Sequence, residues 1–146
     1  MLKRLRERAG SESGFTLIEL LVVMLILGIL AAIAIPAFLN QKNKATDSQA
    51  KTNARTLQTA METCSTDNGG SYTNCGITAL RAIETSIPSS NVTATPGTPS
   101  GGWTVSATSD SGNSFTISRS STGVVTRSCT VPAGKDRGGC QTGDTW

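Results

Sequence analysis

The chain has 146 residues and a formal charge of +3, which leaves room for one domain with a modest core. The charge is uneven, because four cations against Glu7 and Glu12 give +2 within residues 1–14 and leave +1 for the rest. A nearly neutral body argues against a strong electrostatic footprint for nucleic acids or acidic substrates. Histidine is absent and no carboxylates stand in a recognisable catalytic arrangement, so the sequence predicts that the protein is not an enzyme.

The N-terminus combines a short basic leader, residues 1–14, with an apolar run over residues 15–39. As a helix, this run would span about 37 Å, which exceeds the ~30 Å core of a bilayer. Positive charge ahead of the run predicts a single-pass protein with a cytoplasmic leader and an exported C-terminal part. A secretory signal peptide cut near Ala34 and an uncut membrane anchor are alternatives, but neither explains the isolated charge of Glu19.

The helical pattern continues beyond the apolar run, through residues 40–66. A narrow apolar stripe with spacings of 4, 3, 4 and 3 is formed by Ala50, Ala54, Leu57, Met61 and Cys64. The sequence therefore predicts one helix of about fifty residues that ends near Gly69. Because Pro36 has no N–H group, we expect a kink or a break near it.

The rest of the chain predicts a small head. Residues 67–102 are expected to form a loop that contains a helical turn ending at Pro88 and an irregular stretch over residues 89–102. Residues 103–131 contain three short runs that favour strands, joined by turn residues into an antiparallel meander. Residues 132–146 are predicted to be a C-terminal loop segment. The predicted fold class is α+β, with the second half of the long helix packed on a small antiparallel sheet.

The four cysteines fall into two closely spaced pairs, Cys64 with Cys75 and Cys129 with Cys140. Without histidine or a C-x-x-C motif, zinc is disfavoured, and the sequence predicts neither a metal nor a cofactor. Two disulfides in an exported domain fit better. Four cysteines allow three connectivities, of which we favour 64–75 and 129–140 because short loops close easily.

The block Gly14-Phe15-Thr16-Leu17-Ile18-Glu19 resembles the processing and assembly signal of type IV pilins, the class III signal peptide family. The resemblance implies a pilin fold, cleavage between Gly14 and Phe15 by a prepilin peptidase, and N-methylation of Phe15. It also implies a precursor held in membrane lipid, then assembled by a membrane machinery into an extracellular pilus, or fimbrium, made of copies of the chain. A glycine before the cut lets a protease approach the backbone closely.

Glu19 is the unusual residue of the apolar run. An ionised carboxylate in lipid costs about 2–4 kcal/mol, and no Lys or Arg lies within a helical turn on the exported side. Cleavage creates a cation, the Phe15 amine, which can pair with Glu19 of a neighbouring subunit or, alternatively, of its own. The resemblance further implies that the stretch containing Gly28 and Pro36 loosens in the filament, and a fixed kink is the competing interpretation.

The biological role stays open at this point among adhesion, motility and DNA uptake. A type II secretion pseudopilin and a non-polymerising membrane-anchored adhesin are the alternatives. Two disulfides and a head rich in Ser, Thr and Gly favour a surface-exposed pilin, since secretion pseudopilins usually lack the disulfides. DNA or a host surface as a partner has no support beyond Lys135 and Arg137, two basic residues on a loop.

Overall fold

The computed structural model describes residues 14–97 and 101–146; residues 1–13, most of the predicted leader, and residues 98–100 lie outside the described residues. The chain divides into two compact units, one up to Phe38 and one from Leu39 to Trp146. The elements in chain order are α1 (Leu17–Asp67), α2 (Ile77–Ile83), β1 (Val92–Thr95), β2 (Trp103–Thr108), β3 (Ser114–Arg119) and β4 (Val125–Thr130).

Helix α1 is continuous through Gly28 and Pro36, so the proline does not end it. A proline removes one backbone hydrogen bond, and the apolar helix formers on both sides keep the remaining ladder intact. The expected break is therefore not present. Helix α1 ends at the glycine pair that the sequence predicts: Gly69 and Gly70 have φ of 65° and 91°, and the Gly70 N–H donates to the Ser65 carbonyl at 2.7 Å.

The second half of α1 buries the predicted stripe. Its five residues are each at most 3% exposed: Ala50, Ala54, Leu57, Met61 and Cys64. They form one core cluster with alternate residues of the sheet, which are Trp103, Val105, Ala107, Phe115 and Ile117. Leu80 of α2 completes this cluster and is fully buried. The predicted α+β arrangement, a long helix packed on an antiparallel sheet, is thereby confirmed.

The sheet has four strands in the order β1-β2-β3-β4, all antiparallel. Strands β2, β3 and β4 match the three predicted runs. The prediction of an irregular loop over residues 89–102 is wrong for Val92–Thr95, which pairs with β2 in the register Val92↔Ala107. The short Val-Thr-Ala-Thr run is bounded by proline-containing turns, and only pairing with a distant strand makes it a strand.

Candidate functional site

The predicted processing site lies just before α1. Gly14 and Phe15 are exposed and belong to no helix or strand, and α1 begins at Leu17. A Cβ placed on Gly14 would meet nothing within 4 Å, so the backbone at this bond is open on the side where a protease would approach. The Gly14–Phe15 bond is thus an accessible, non-helical peptide bond next to a helix N-terminus.

Thr16 and Glu19 cap the start of α1 reciprocally. The Thr16 backbone N–H and hydroxyl donate to Glu19 Oε2 at 2.9 and 2.6 Å, and the Glu19 N–H donates to Thr16 Oγ1 at 3.3 Å. This is a capping box, the pattern Thr-x-x-Glu at a helix start. Sequence reasoning assigned Thr16 no role and considered only the Phe15 amine, of a neighbouring subunit or of the same chain, as the partner of Glu19. The spacing of Thr16 and Glu19 was the signal that could have identified the pair.

The capping box determines which carboxylate oxygen of Glu19 receives no hydrogen bond from Thr16. Both Thr16 donors bind Oε2, and Oε1 receives neither of them. The negative charge sits in the first turn of α1, where the helix dipole favours it. Oε1 is therefore the oxygen that a cation, such as a free Phe15 amine, would meet.

The apolar part of α1 is exposed on all sides. Its large hydrophobic side chains are 45–80% exposed from Phe15 through Leu39, and this helix alone, within the described residues, is long and apolar enough to cross a membrane. Gly28 has no atom within 4 Å of a Cβ built on it, so its lack of a side chain leaves a gap that only another molecule could fill. Such a surface needs lipid or other apolar helices against it.

The structure contains the disulfides Cys64–Cys75 and Cys129–Cys140, the pairing favoured from loop length. The first ties the C-terminal end of α1 to the segment before α2, and the second ties β4 to the C-terminal segment. No group of three His, Cys, Asp or Glu side chains able to hold a metal occurs in the described parts of the chain.

Asp47 is a buried residue that sequence reasoning missed. Its carboxylate on α1 accepts the Ser111 hydroxyl at 2.5 Å, the Asn113 amide at 2.9 Å and the Gly139 N–H at 2.7 Å. Gly138 has φ of 50°, and a Cβ there would collide with this carboxylate. One side chain thus joins α1 to the β2–β3 turn and to the loop closed by Cys129–Cys140. The sequence feature that could have predicted this burial is spacing, because Asp47 lies three residues before Ala50, in line with the apolar stripe.

Burial raises the pKa of Asp47, but the hydrogen bonds from Gly139, Ser111 and Asn113 lower it more, so the pKa lies below its ordinary value. The carboxylate is therefore ionised at neutral pH although its side chain is fully buried. Lys51, one turn along α1, donates to the Gly139 carbonyl at 2.6 Å and ties the same loop a second time. These bonds make the C-terminal loop part of the packed head.

Comparison with known proteins places the similarity at the N-terminus. The family described as "Prokaryotic N-terminal methylation motif" matches residues 10–35. Over 49 residues the chain is 55% identical to the type IV major pilin protein PilA of Myxococcus xanthus, covering 34% of this chain and 22% of that protein. Over 56 residues it is 46% identical to the type IV major fimbrial protein FimA of Dichelobacter nodosus, covering 38% and 36%.

A further relative is the type II secretion system core protein G of Aeromonas hydrophila, 37% identical over 78 residues, which cover 53% of this chain and 54% of that protein. The chain thus spans between 22% and 54% of the length of these relatives. No solved structure matches the chain significantly.

The chain thus combines a capped apolar helix and an α+β head with a match to the prokaryotic N-terminal methylation motif. The matched relatives carry pilin, fimbrial and secretion core names. Over 34–53% of its length the chain is similar to type IV pilin, fimbrial and type II secretion core proteins, and it carries the N-terminal methylation motif.

Proposed function

We propose that the chain is the precursor of a structural subunit of a type IV pilus-like filament. A prepilin peptidase hydrolyses the exposed Gly14–Phe15 bond on the cytoplasmic side, and the new Phe15 amine is methylated. The mature protein waits in the membrane with its head exported, and an assembly machinery then polymerises it into an extracellular filament. The observation that carries the proposal is the exposed apolar surface of α1 with a single carboxylate, Glu19, in its first turn.

Burial and charge together support this proposal. Residues 15–39 expose apolar side chains that are stable only in lipid or against other helices, so both the waiting state and the filament core have a physical reason. Glu19 Oε1 receives no Thr16 donor and can accept an ammonium group from a neighbouring subunit. That pair would set the axial register of the helices, because any other register buries an unpaired charge.

The test is the variant Glu19→Val, with Glu19→Asp as its control. We expect Glu19→Val to be cleaved and to remain in the membrane without forming filaments in sheared cell-surface preparations, while Glu19→Asp retains a measurable yield. N-terminal sequencing of the parent filament should begin at an N-methylated Phe15. Normal filaments from Glu19→Val would refute the register argument and favour a membrane-anchored adhesin that never polymerises.

A second candidate function is a type II secretion pseudopilin. It is favoured by the match to protein G of Aeromonas hydrophila, which extends over 53% of the chain and therefore reaches into the head. The two disulfides support a surface-exposed pilin instead. Deletion of the gene distinguishes the pilus subunit from the pseudopilin. A strain that loses visible surface filaments but secretes proteins normally supports the pilus subunit. A strain that accumulates exoproteins in the periplasm supports the pseudopilin. Adhesion, motility and DNA uptake are separate assays on the same deletion strain.

A further inference from the structure

Three cations converge on one aromatic ring at the C-terminal end of the chain. The guanidinium carbons of Arg55 on α1 and Arg127 on β4 lie 5.6 and 5.7 Å from the centroid of Trp146, and Lys51 Nζ lies 5.9 Å from it. Trp146 itself is fixed, since its indole N–H donates to the Ser128 carbonyl at 2.8 Å. Cation–π attraction therefore holds these charges in place on the head surface.

Within the part of the chain that the structure describes, Arg55 and Arg127 form no ion pair. Arg137 and Asp144, 2.7 Å apart, form the one ion pair within residues 14–97 and 101–146. Asp47, one turn before Lys51, is buried and accepts three hydrogen bonds already. Both arginines are exposed. The head thus presents two immobilised guanidinium groups whose charge is not neutralised within the described chain.

A second surface of the head is a groove that contains a negatively charged side chain. The groove lies between α1 and α2, has a volume of about 200 Å³, and is lined by Thr56, Thr59, Ala60, Thr63, Ile83 and Glu84. At 3.6 residues per turn, Thr59 of the groove lies one turn after Arg55, so the groove and Arg55 are neighbouring surfaces of α1. Ile83 is 40% exposed, so part of the groove is apolar surface open to solvent.

Glu84 is the charged group of this groove. Its Oε1 accepts the Ser86 N–H at 2.9 Å, and hydrogen bonds from Ser86 lower the pKa of Glu84, so the group is ionised at neutral pH. Arg81, on the same helix, directs its guanidinium at the Pro88 carbonyl, at 3.1 and 2.6 Å, and forms no ion pair with Glu84. The groove therefore offers an accessible carboxylate beside an exposed isoleucine.

We propose that Arg55 and Arg127 of one subunit dock on the groove containing Glu84 of the next subunit in the filament. This inference rests on the proposed function. An open helical polymer repeats a heterologous contact, in which two different surfaces of the same chain meet, and the two arginines and the groove with Glu84 are two such surfaces. Because Trp146 already restrains the guanidinium groups, less side-chain entropy is lost when they bind a carboxylate.

The experiment is a charge swap in the full-length protein, with filament yield measured by sedimentation of sheared surface material. We expect Arg55→Glu and Glu84→Arg each to lower the yield at least about tenfold, because each places like charges opposite one another. The double variant restores the opposite-charge pair and should return to within about threefold of the parent. Lys135→Glu makes the same charge change on an exposed loop and should leave the yield unchanged.

Folding of each variant is checked by formation of both disulfides, so that a low yield reports assembly. The inference is overturned if the single variants assemble like the parent, or if the double variant is no better than the weaker single one. It is also overturned if Arg55→Glu assembles fully but loses binding of duplex DNA, which would assign the arginines to a nucleic acid. Failure of the parent to form filaments at all would instead refute the proposed function.

Discussion

Removal of the Asp47 carboxylate should loosen the C-terminal loop from α1. In Asp47→Asn the amide oxygen can still accept from Gly139 and Asn113, and the Ser111 hydroxyl can turn to Ser109 Oγ, 3.1 Å away. Two hydrogen bonds then lose their ionic character, which we expect to lower the free energy of unfolding by about 2 kcal/mol. In Asp47→Ala the Gly139 N–H has no acceptor, and a loss of about 4 kcal/mol is expected.

The assay is urea unfolding of the full-length protein in mild detergent, with both disulfides intact, followed by tryptophan fluorescence. Trp146 reports on the region directly, because its ring lies near Lys51, which also binds the Gly139 carbonyl. The matched control is Asp110→Asn, an exposed aspartate of the same turn region, with an expected change within about 0.5 kcal/mol. Equal effects of the Asp47 and Asp110 variants would refute the reasoning.

The stabilisation by Asp47 should depend on pH in a defined direction. Its pKa in the folded state is lower than in the unfolded chain, so the stabilisation is fully present above the unfolded value of about 3.9. It is lost as the pH falls through the folded pKa. The difference in unfolding free energy between the parent and Asp47→Asn should therefore be constant near pH 7 and shrink below about pH 4. A difference that stayed constant to pH 2 would exclude ionisation of Asp47 as its cause.

Three further variants test other parts of the chain. Thr16→Val removes the hydroxyl of the capping box and should weaken the first turn of α1 by about 1 kcal/mol, seen as faster amide hydrogen exchange at residues 17–20, whereas Thr16→Ser should retain protection. Pro36→Ala restores an N–H for the Ala32 carbonyl, so single filaments should extend less under force; unchanged extension would indicate a fixed kink. Cys129→Ser with Cys140→Ser opens the C-terminal loop and should lower the unfolding free energy by about 2–5 kcal/mol, measured by the same urea titration; a change below 1 kcal/mol would show that the Asp47 bonds alone hold the loop.

Much of the fold follows from local patterns. Residue spacing along one helix predicts the length of α1, the buried stripe from Ala50 to Cys64 and the helix end near Gly69. Each of these features depends only on residues that are close in sequence. The N-terminal site is similarly local, because the Thr-x-x-Glu cap spans four residues and could have been predicted. Local patterns could not distinguish strand β1 from a loop, because β1 is stabilised by pairing with β2, which follows the proline-containing segment.

The amino-acid sequence alone indicated the long apolar helix, the N-terminal motif and the favoured pairing of the four cysteines, because each depends on composition and short spacing. Only the tertiary structure showed that Asp47 joins α1 to residues 111, 113 and 139, and that Arg55 and Arg127 share the ring of Trp146. The physical reason is sequence separation. The α1 residues Asp47 and Arg55 meet partners 64 to 92 residues further along the chain only after the sheet has packed on the helix, so no short sequence period predicts these contacts.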